Sequence, residues 1–322
     1  MKIKNLCKLL STSFQVVRVF DALSWIVMVS GHVLCMDAVG EKPLVPKEIN
    51  FLSQKLHADG KIDAHTTFAY LQSSINLQSS IVDPSKCDPA IRVLAGVLRC
   101  CEIENRAIEG GFGAVWSPLF SSVLVWFLSS FTNSYLYLDA AYYSPLAQIY
   151  SDLLIPAATY DASSWTMEFI LRKIGFNMTK YHHDVDVVEE SIKLFLEIVN
   201  VRNQKLQHVL ELPSFQNLIM IRDVQLDSKV KRSVYKGLIM ATAAFTNNEQ
   251  RHDCLRHLLE PIGKSFDATI LDGQRLPHDT HIRERLLVVL DELTGKETEF
   301  SHFFYTVLHR LKSASNFFQN FF

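Results

Sequence analysis

From Val185 to Val199 the sequence reads VDVVEESIKLFLEIV. Its apolar residues recur at alternating intervals of three and four positions, at Val185, Val188, Ile192, Phe195 and Val199. An α-helix completes a turn about every 3.6 residues, so side chains at this spacing lie on one face. Asp184 directly precedes the stretch, and its carboxylate can cap the first turn of a helix. The stretch therefore predicts an amphipathic helix with one buried face.

The same spacing recurs along most of the chain, with further stripes beginning at Val234, Leu255 and Ile282. Asp88-Pro89 marks another helix start, because Asp caps a helix and Pro fits its first position. The chain contains only 12 Gly and 10 Pro among 322 residues, which is about half of their usual share. Few turn residues indicate few turns, so long helices joined by short connections are expected.

The predicted helices cover most of the sequence. They are placed at 3–19, 21–37, 46–57, 64–78, 89–107, 114–136, 144–155, 162–175, 185–201, 204–211, 214–222, 229–246, 249–270, 280–294 and 297–320. The starts at 185 and 229 lie 44 residues apart, within the ~40–47 residues of a HEAT-type helix pair. The predicted fold class is all-α, an α-solenoid of HEAT-type antiparallel helix pairs. No composition break separates domains, so residues 1–322 are predicted to form a single helical-repeat (HEAT-like) array.

Composition and charge exclude several classes of protein. Hydrophobic residues make up 48% of the chain, which excludes a wholly disordered protein. The 32 Lys and Arg are balanced by 34 Asp and Glu, for a net charge of -2, so no nucleic-acid partner is predicted. The six cysteines follow no regular spacing and are interpreted as reduced, mostly buried thiols.

Two apolar segments, 22–36 and 110–138, raise the alternative of a multi-helix membrane protein. The first is short and contains His32. The second has no charged residue but holds Pro118, Asn133 and six serines. A buried helix of a large helical protein is favoured over a membrane span. On this interpretation five large side chains are predicted to be buried in protein: Trp116, Leu119, Val123, Trp126 and Phe127.

No signature of an enzyme is present. The sequence contains no GxxxxGK[ST] phosphate loop, no GxSxG elbow and no HExxH metal motif. His182-His183-Asp184 is interpreted as a solvated loop, because adjacent side chains diverge and no matching ligands lie at metal spacing. The chain is therefore predicted to be no enzyme and to hold no metal or other cofactor.

One basic cluster stands out, at Lys229, Lys231, Arg232 and Lys236. Lys229, Arg232 and Lys236 share a helix face at intervals of three and four. Cations near a helix N-terminus oppose the helix dipole, which favours a nearby acidic surface. These three residues are the candidate partner-binding site, and a merely solvated face remains the alternative.

Several segments resemble a known family. They are WIVMVSGHVLCMDAVGEKPLVPKEI at 25–49, CDPAIRV at 87–93, AVWSPL at 114–119 and WFL at 126–128. They are similar to the central region of the exportins, nuclear transport receptors of the importin-β superfamily. A looser likeness continues past Val185 to about Leu311. The specific part covers the first 130 or so residues.

The resemblance implies a HEAT-repeat solenoid that carries protein cargo through nuclear pores. It further implies loading controlled by Ran-GTP, contact with nucleoporins, shuttling between nucleus and cytoplasm, and no catalytic residue. Family members are several times longer, and their N-terminal Ran-binding arch has no counterpart here. No Ran contact can therefore be transferred to a residue of this chain. The expectation is a fragment of a longer exportin, with no nucleic-acid and no membrane partner.

Overall fold

The computed structural model describes residues 3–35, 45–76, 82–136, 162–200, 209–219, 228–242 and most of 245–260. The chain divides into two compact units, Met1–Val224 and Gln225–Phe322. Unit 1 contains eight of the helices described here: α1 Ile3–Leu34, α2 Lys47–Ala58, α3 Ala64–Ile75, α4 Pro89–Glu109, α5 Pro118–Phe131, α6 Ala162–Lys180, α7 Val185–Val199 and α8 Pro213–Ile219. Unit 2 contains α9, Ser228–Thr242. The described residues include no strand, and the predicted all-α class is confirmed.

Side-chain caps fix where several helices begin. The Asp88 carboxylate accepts hydrogen bonds from the backbone N–H groups of Ala90 and Ile91 at 2.9 and 3.2 Å. The Asp184 carboxylate accepts from the Val187 N–H at 3.2 Å. Each cap satisfies a donor that the first helical turn leaves unpaired. The starts of α4 and α7 were predicted from these two residues, and both are confirmed.

Three predicted boundaries were wrong, one of them the end of the helix expected at 162–175, which continues as α6 to Lys180. Helices at 3–19 and 21–37 were expected, but α1 is continuous from Ile3 to Leu34. No Gly or Pro interrupts it near Phe20, whose ring packs on Trp116 and Phe120, so packing carries the helix through. The helix expected from 114 begins at Pro118, after a 3-10 turn over Gly113–Val115. Predicted helices 144–155, 280–294 and 297–320 lie outside the described residues.

The helices α1 and α5 pack side by side and run in the same direction. Near the start of α5, Phe20 of α1 lies against Trp116 with ring centroids 4.9 Å apart. Beyond its end, the Tyr135 hydroxyl donates to the Leu34 carbonyl at 2.9 Å. Gly31 sits between these points, where an added Cβ would lie only 2.6 Å from the Trp126 ring. Only glycine therefore permits this close approach of the two helices.

The helix α7 continues this layer on the other side of α5. Tyr181, which precedes α7, lies with its hydroxyl 2.9 Å from the Ser121 hydroxyl near the start of α5. Glu197, near the end of α7, accepts hydrogen bonds from Ser129 and Asn133. Because the first contact lies near the start of both helices and the second lies near the end of both, α5 and α7 run in the same direction. One layer of unit 1 is therefore α1, α5 and α7.

A second layer contains α3, α4 and α6. Asp88 donates its N–H to the Thr67 hydroxyl at 3.1 Å, and Arg106 reaches the Ile75 carbonyl at 3.2 Å, so α3 and α4 run in the same direction. The Trp165 ring of α6 also contacts α3. Residues 110–117 join α4 to α5, and 181–184 join α6 to α7. These short connections form antiparallel pairs across the two layers, as predicted for HEAT-type units.

The centre of α5 is deeply buried in unit 1. Its inward side chains are Phe120, Val123, Leu124, Phe127, Leu128 and Phe131. The predicted burial of Val123 and Phe127 is confirmed, while Trp116 and Trp126 are half-buried. The prediction for Leu119 was wrong, since Leu119 is 67% exposed. Consecutive helical residues point about 100° apart, and Phe120 takes the inward position. Val185 is likewise exposed, at the first position of α7.

Of the two apolar segments named from the sequence, length and composition point to the first, 22–36, as the one that overlaps a candidate membrane span. Among the described residues, Gln15–Leu34 within α1 is the candidate that is long and apolar enough to cross a bilayer. The segment 110–138 contributes the 14-residue helix α5, which is packed between α1, α4 and α7. A helix surrounded by protein does not face lipid, so the α5 half of the membrane alternative loses its support.

A buried ion pair lies where the two layers meet. The Lys173 ammonium of α6 is 2.9 Å from the Glu104 carboxylate of α4, and their side chains are 1% and 0% exposed. Glu104 also accepts from Ser121 at 2.6 Å and from the Tyr181 hydroxyl at 2.8 Å. Lys173 donates further to Asn105 at 2.9 Å. Burial, followed by the Glu104 charge, raises the pKa of Tyr181, so its hydroxyl remains a donor.

Replacing Val123 with Asp is expected to unfold unit 1. An unpaired carboxylate would be buried against α1, α4 and α7, with a loss of about 3–5 kcal/mol in the free energy of unfolding. The matched control is Leu119→Asp, four residues earlier in the first turn of α5, where the side chain is exposed. Urea denaturation followed by circular dichroism measures both variants. A folded, fully stable Val123→Asp protein would show that α5 is not core.

Replacing Lys173 with Met is expected to destabilise the protein by about 3–5 kcal/mol, because the Glu104 charge remains buried without its partner. Adding Glu104→Gln should restore most of that stability, because the amide oxygen can still accept from Ser121 and Tyr181. Urea midpoints of the single and double variants test this. If the double variant is no more stable than Lys173→Met alone, the pairing of Glu104 with Lys173 is not what holds α4 and α6 together.

Candidate partner-binding surfaces

The predicted basic cluster lies on α9 of unit 2. Lys229, Arg232 and Lys236 all fall within its first nine residues, so one helix carries them at the predicted spacing. Lys236 is exposed. The side chains of Lys229 and Arg232 lie outside the described residues. The inward stripe of α9 is apolar and buried, and consists of Val230, Val234, Leu238, Ile239 and Ala241.

Among the three cluster residues, Lys236 is the one whose side chain is described, and it is exposed where it can meet an acidic surface. No acidic side chain in the described part of the chain pairs with Lys236. The unfavourable interaction between a cation and the N-terminal end of the helix dipole fades within about one turn. It therefore affects Lys229 more than Lys236. Electrostatic contact with a partner is the chemistry that such a cluster can supply.

The histidine pair lies on the loop between α6 and α7. The two rings lie close together, with centroids 3.7 Å apart and planes tilted by 49°, whereas diverging side chains were expected. His182 Nδ1 lies 3.0 Å from the Thr179 carbonyl. Asp184 is occupied as the cap of α7. Within the described residues, no group of three or more His, Cys, Asp or Glu side chains is placed to hold a metal ion.

The described thiols are poor nucleophiles. Cys35, Cys87 and Cys101 are buried, and Cys100 and Cys254 are half-buried. Burial raises the pKa of Cys101, and burial together with the neighbouring Glu104 charge raises that of Cys100. A protonated thiol is unreactive at neutral pH, so these residues act as small apolar side chains.

A second cationic surface was not found from sequence. Arg92, Arg99 and Arg106 are exposed on α4 at intervals of seven residues, with two helical turns between them. Near the end of this row, Glu102 accepts from Arg106 Nε at 2.8 Å and lies 3.5 Å from Arg172 of α6. The signal available in the sequence was the seven-residue spacing. It is less conspicuous than the crowded basic residues of α9.

An apolar surface lies on the side of α1 that faces away from α5. Trp25, Ile26 and Val29 are 66%, 61% and 56% exposed, whereas Val27 and Leu34 on the opposite side are buried. A continuous apolar face on a helix marks an interaction site more often than isolated exposed residues do. The structure thus presents one apolar and two cationic candidate surfaces.

A comparison with known protein families shows which class of protein these surfaces belong to. A family model described as Exportin-4 matches residues 1–299. The chain belongs to the exportin-4 family. The match includes the helices α1 to α9 described above and the basic cluster on α9. It extends well beyond the first 130 residues, where the resemblance in sequence is most specific.

Membership in the exportin-4 family identifies the chain with nuclear export receptors rather than with an enzyme family. Exportins recognise other proteins through surfaces and need no catalytic constellation for that task. The relevant features of this exportin-4 family member are therefore its exposed helix faces. Among the described residues, the exposed arginines of α4 can contact acidic groups, while the α1 face can pack against apolar helices.

Proposed function

We propose that the chain is a segment of a nuclear export receptor, a non-catalytic scaffold for Ran-GTP-dependent transport of protein cargo through the nuclear pore. The match to the exportin-4 family over residues 1–299 carries this proposal. The paired helices of unit 1 support it, because stacked pairs provide long surfaces for partners. In this role the protein shuttles between nucleus and cytoplasm, and its receptor contacts protein cargo, Ran-GTP and nucleoporins.

We further propose that residues 1–322 belong to one helical array that continues in a longer exportin. Support comes from the outer face of α1, where Trp25 and Val29 are largely exposed. Terminal repeats of helical arrays carry a polar outer face, because an apolar one would be sticky in water. The exposed face of α1 is instead apolar, as is usual for a helix that has a neighbouring helix on each side. The helix α5, between α1 and α7, is an example.

Replacing Trp25 and Val29 with Gln is expected to leave the stability of the chain within about 1 kcal/mol, because both side chains face solvent. The same change should reduce self-association in light scattering. Val27→Gln, on the buried side of α1, is the control and should destabilise the protein clearly. Unfolding by the double replacement would show that this face is internal and would remove the support for a further neighbour.

Ran-GTP is expected to bind this chain more weakly than it binds a complete exportin-4. The segments that resemble the family do not include the Ran-binding arch. When several contacts to one partner are linked in one receptor, each strengthens the others, so removing some of them lowers the overall affinity. Equilibrium binding of purified Ran-GTP to both proteins measures the difference. Equal affinities would place the whole Ran-binding site within residues 1–322 and contradict this part of the proposal.

The cluster Lys229, Arg232 and Lys236 is proposed as a salt-sensitive contact for an acidic partner. Changing all three to Glu should weaken binding of an acidic cargo by about tenfold or more, with a weaker dependence on salt. Thermal stability should hold or rise slightly, because acidic residues suit the N-terminal turns of a helix. A loss of stability would instead place the acidic surface within the protein. Unchanged binding and stability would indicate only a solvated face.

A matched control reverses three exposed lysines of unit 1, Lys47, Lys61 and Lys193, to Glu. It changes net charge equally but leaves α9 intact, so a general charge effect would appear in both variants.

Partitioning separates the export proposal from the membrane alternative. A scaffold is released by salt and carbonate, whereas a protein that spans the bilayer requires detergent.

A further inference from the structure

The exposed face of α4 carries a regular arrangement of residues. Five positions at intervals of four, three, four and three lie on it: Arg92, Gly96, Arg99, Ile103 and Arg106. All five are exposed, while the opposite side of the helix is buried in unit 1. The row is about 21 Å long, since a helix rises about 1.5 Å per residue. We refer to these five residues as the arginine row.

The arginine row has an excess of positive charge. Glu102 is shared between Arg106 at 2.8 Å and Arg172 of α6 at 3.5 Å. Two other acidic residues lie in this half of α4: Glu104 is buried with Lys173, and Glu109 is exposed at the last position of the helix. Among the described residues, no acidic side chain lies within ion-pair distance of Arg92 or Arg99. Their planar guanidinium groups are suited to bind carboxylates through two hydrogen bonds.

Gly96 provides an independent observation at the same place. Glycine inside a helix costs about 1 kcal/mol relative to alanine. A Cβ at residue 96 would meet no atom within 4 Å, and Gly96 is not among the glycines with positive φ. Neither internal packing nor backbone conformation therefore requires glycine here. What glycine does provide is a bare stretch of helix between Arg92 and Arg99, which a second chain can approach closely.

We propose that the arginine row is a docking surface for an acidic peptide segment of a protein partner. The backbone of the segment crosses α4 at Gly96, its carboxylates pair with Arg92 and Arg99, and an apolar side chain packs beside Ile103. Ile103 is 40% exposed, so it offers a modest apolar contact within a charged surface. That combination favours a protein over a nucleic acid. The site consists of residues of unit 1, and the proposal does not depend on the proposed export function.

The probe is a short fluorescein-labelled Glu-rich peptide with one central Leu, titrated with the full chain and followed by fluorescence anisotropy. A peptide with Gln in place of every Glu is the control for charge. Replacing Arg92 and Arg99 with Ala should weaken binding about tenfold, which corresponds to about 1.4 kcal/mol. Binding to the unaltered chain should also weaken as salt increases. Lys47→Ala with Lys193→Ala, which removes two other exposed charges, should have little effect.

Replacing Gly96 with Gln distinguishes this site from general charge attraction. The change should raise the melting temperature slightly through helix propensity, yet weaken peptide binding by at least as much as Arg99→Ala does, because the new side chain occupies the crossing point. Unchanged binding in this variant, or equal losses in the arginine and lysine pairs, would overturn the proposal. So would tighter binding of a single-stranded RNA probe than of the acidic peptide. Each result is obtained with purified protein, so it leaves the export proposal to its own tests.

Discussion

The Glu104–Lys173 ion pair determines how the helices of unit 1 can be arranged. Two buried charges are tolerated only when they meet each other and further hydrogen-bonding groups. Ser121 and Tyr181 supply those groups from α5 and from the turn before α7. One carboxylate thus holds α4, α5, α6 and the start of α7 in a single relative position. The pair also orients the surface, because Arg172 points outward toward Glu102 while its neighbour Lys173 points inward.

Local chemistry accounts for the parts of the fold that could be predicted. Asp88 and Asp184 cap their helices through hydrogen bonds to residues two or three positions away, so the sequence alone contains the signal. Errors arose where distant residues decide the outcome. Phe20 packs on a helix about 100 residues later in the chain, which keeps α1 continuous. Leu119 and Phe120 are both apolar, and only the placement of neighbouring helices determines which one is buried.

The candidate surfaces show the same division. Lys229, Arg232 and Lys236 are close in sequence, so a basic cluster was predictable, and α9 does carry them together. The arginine row was missed because its arginines lie two turns apart. Such widely spaced residues can be recognised as one surface only when it is known that this face of α4 is exposed. Glu102 also had to be located against Arg106 and Arg172. Which charges remain available to a partner is a property of tertiary structure.

Gly31 has a mechanical consequence. Because Trp126 lies against the bare backbone of Gly31, the spacing between α1 and α5 cannot change without a clash or a gap. The seam between α5 and α7 differs, since Glu197 holds it through hydrogen bonds from Ser129 and Asn133 that can be exchanged for others. At Gly31 the helices α1 and α5 can therefore move only together, whereas the contact between α5 and α7 also contains polar pairs that can rearrange.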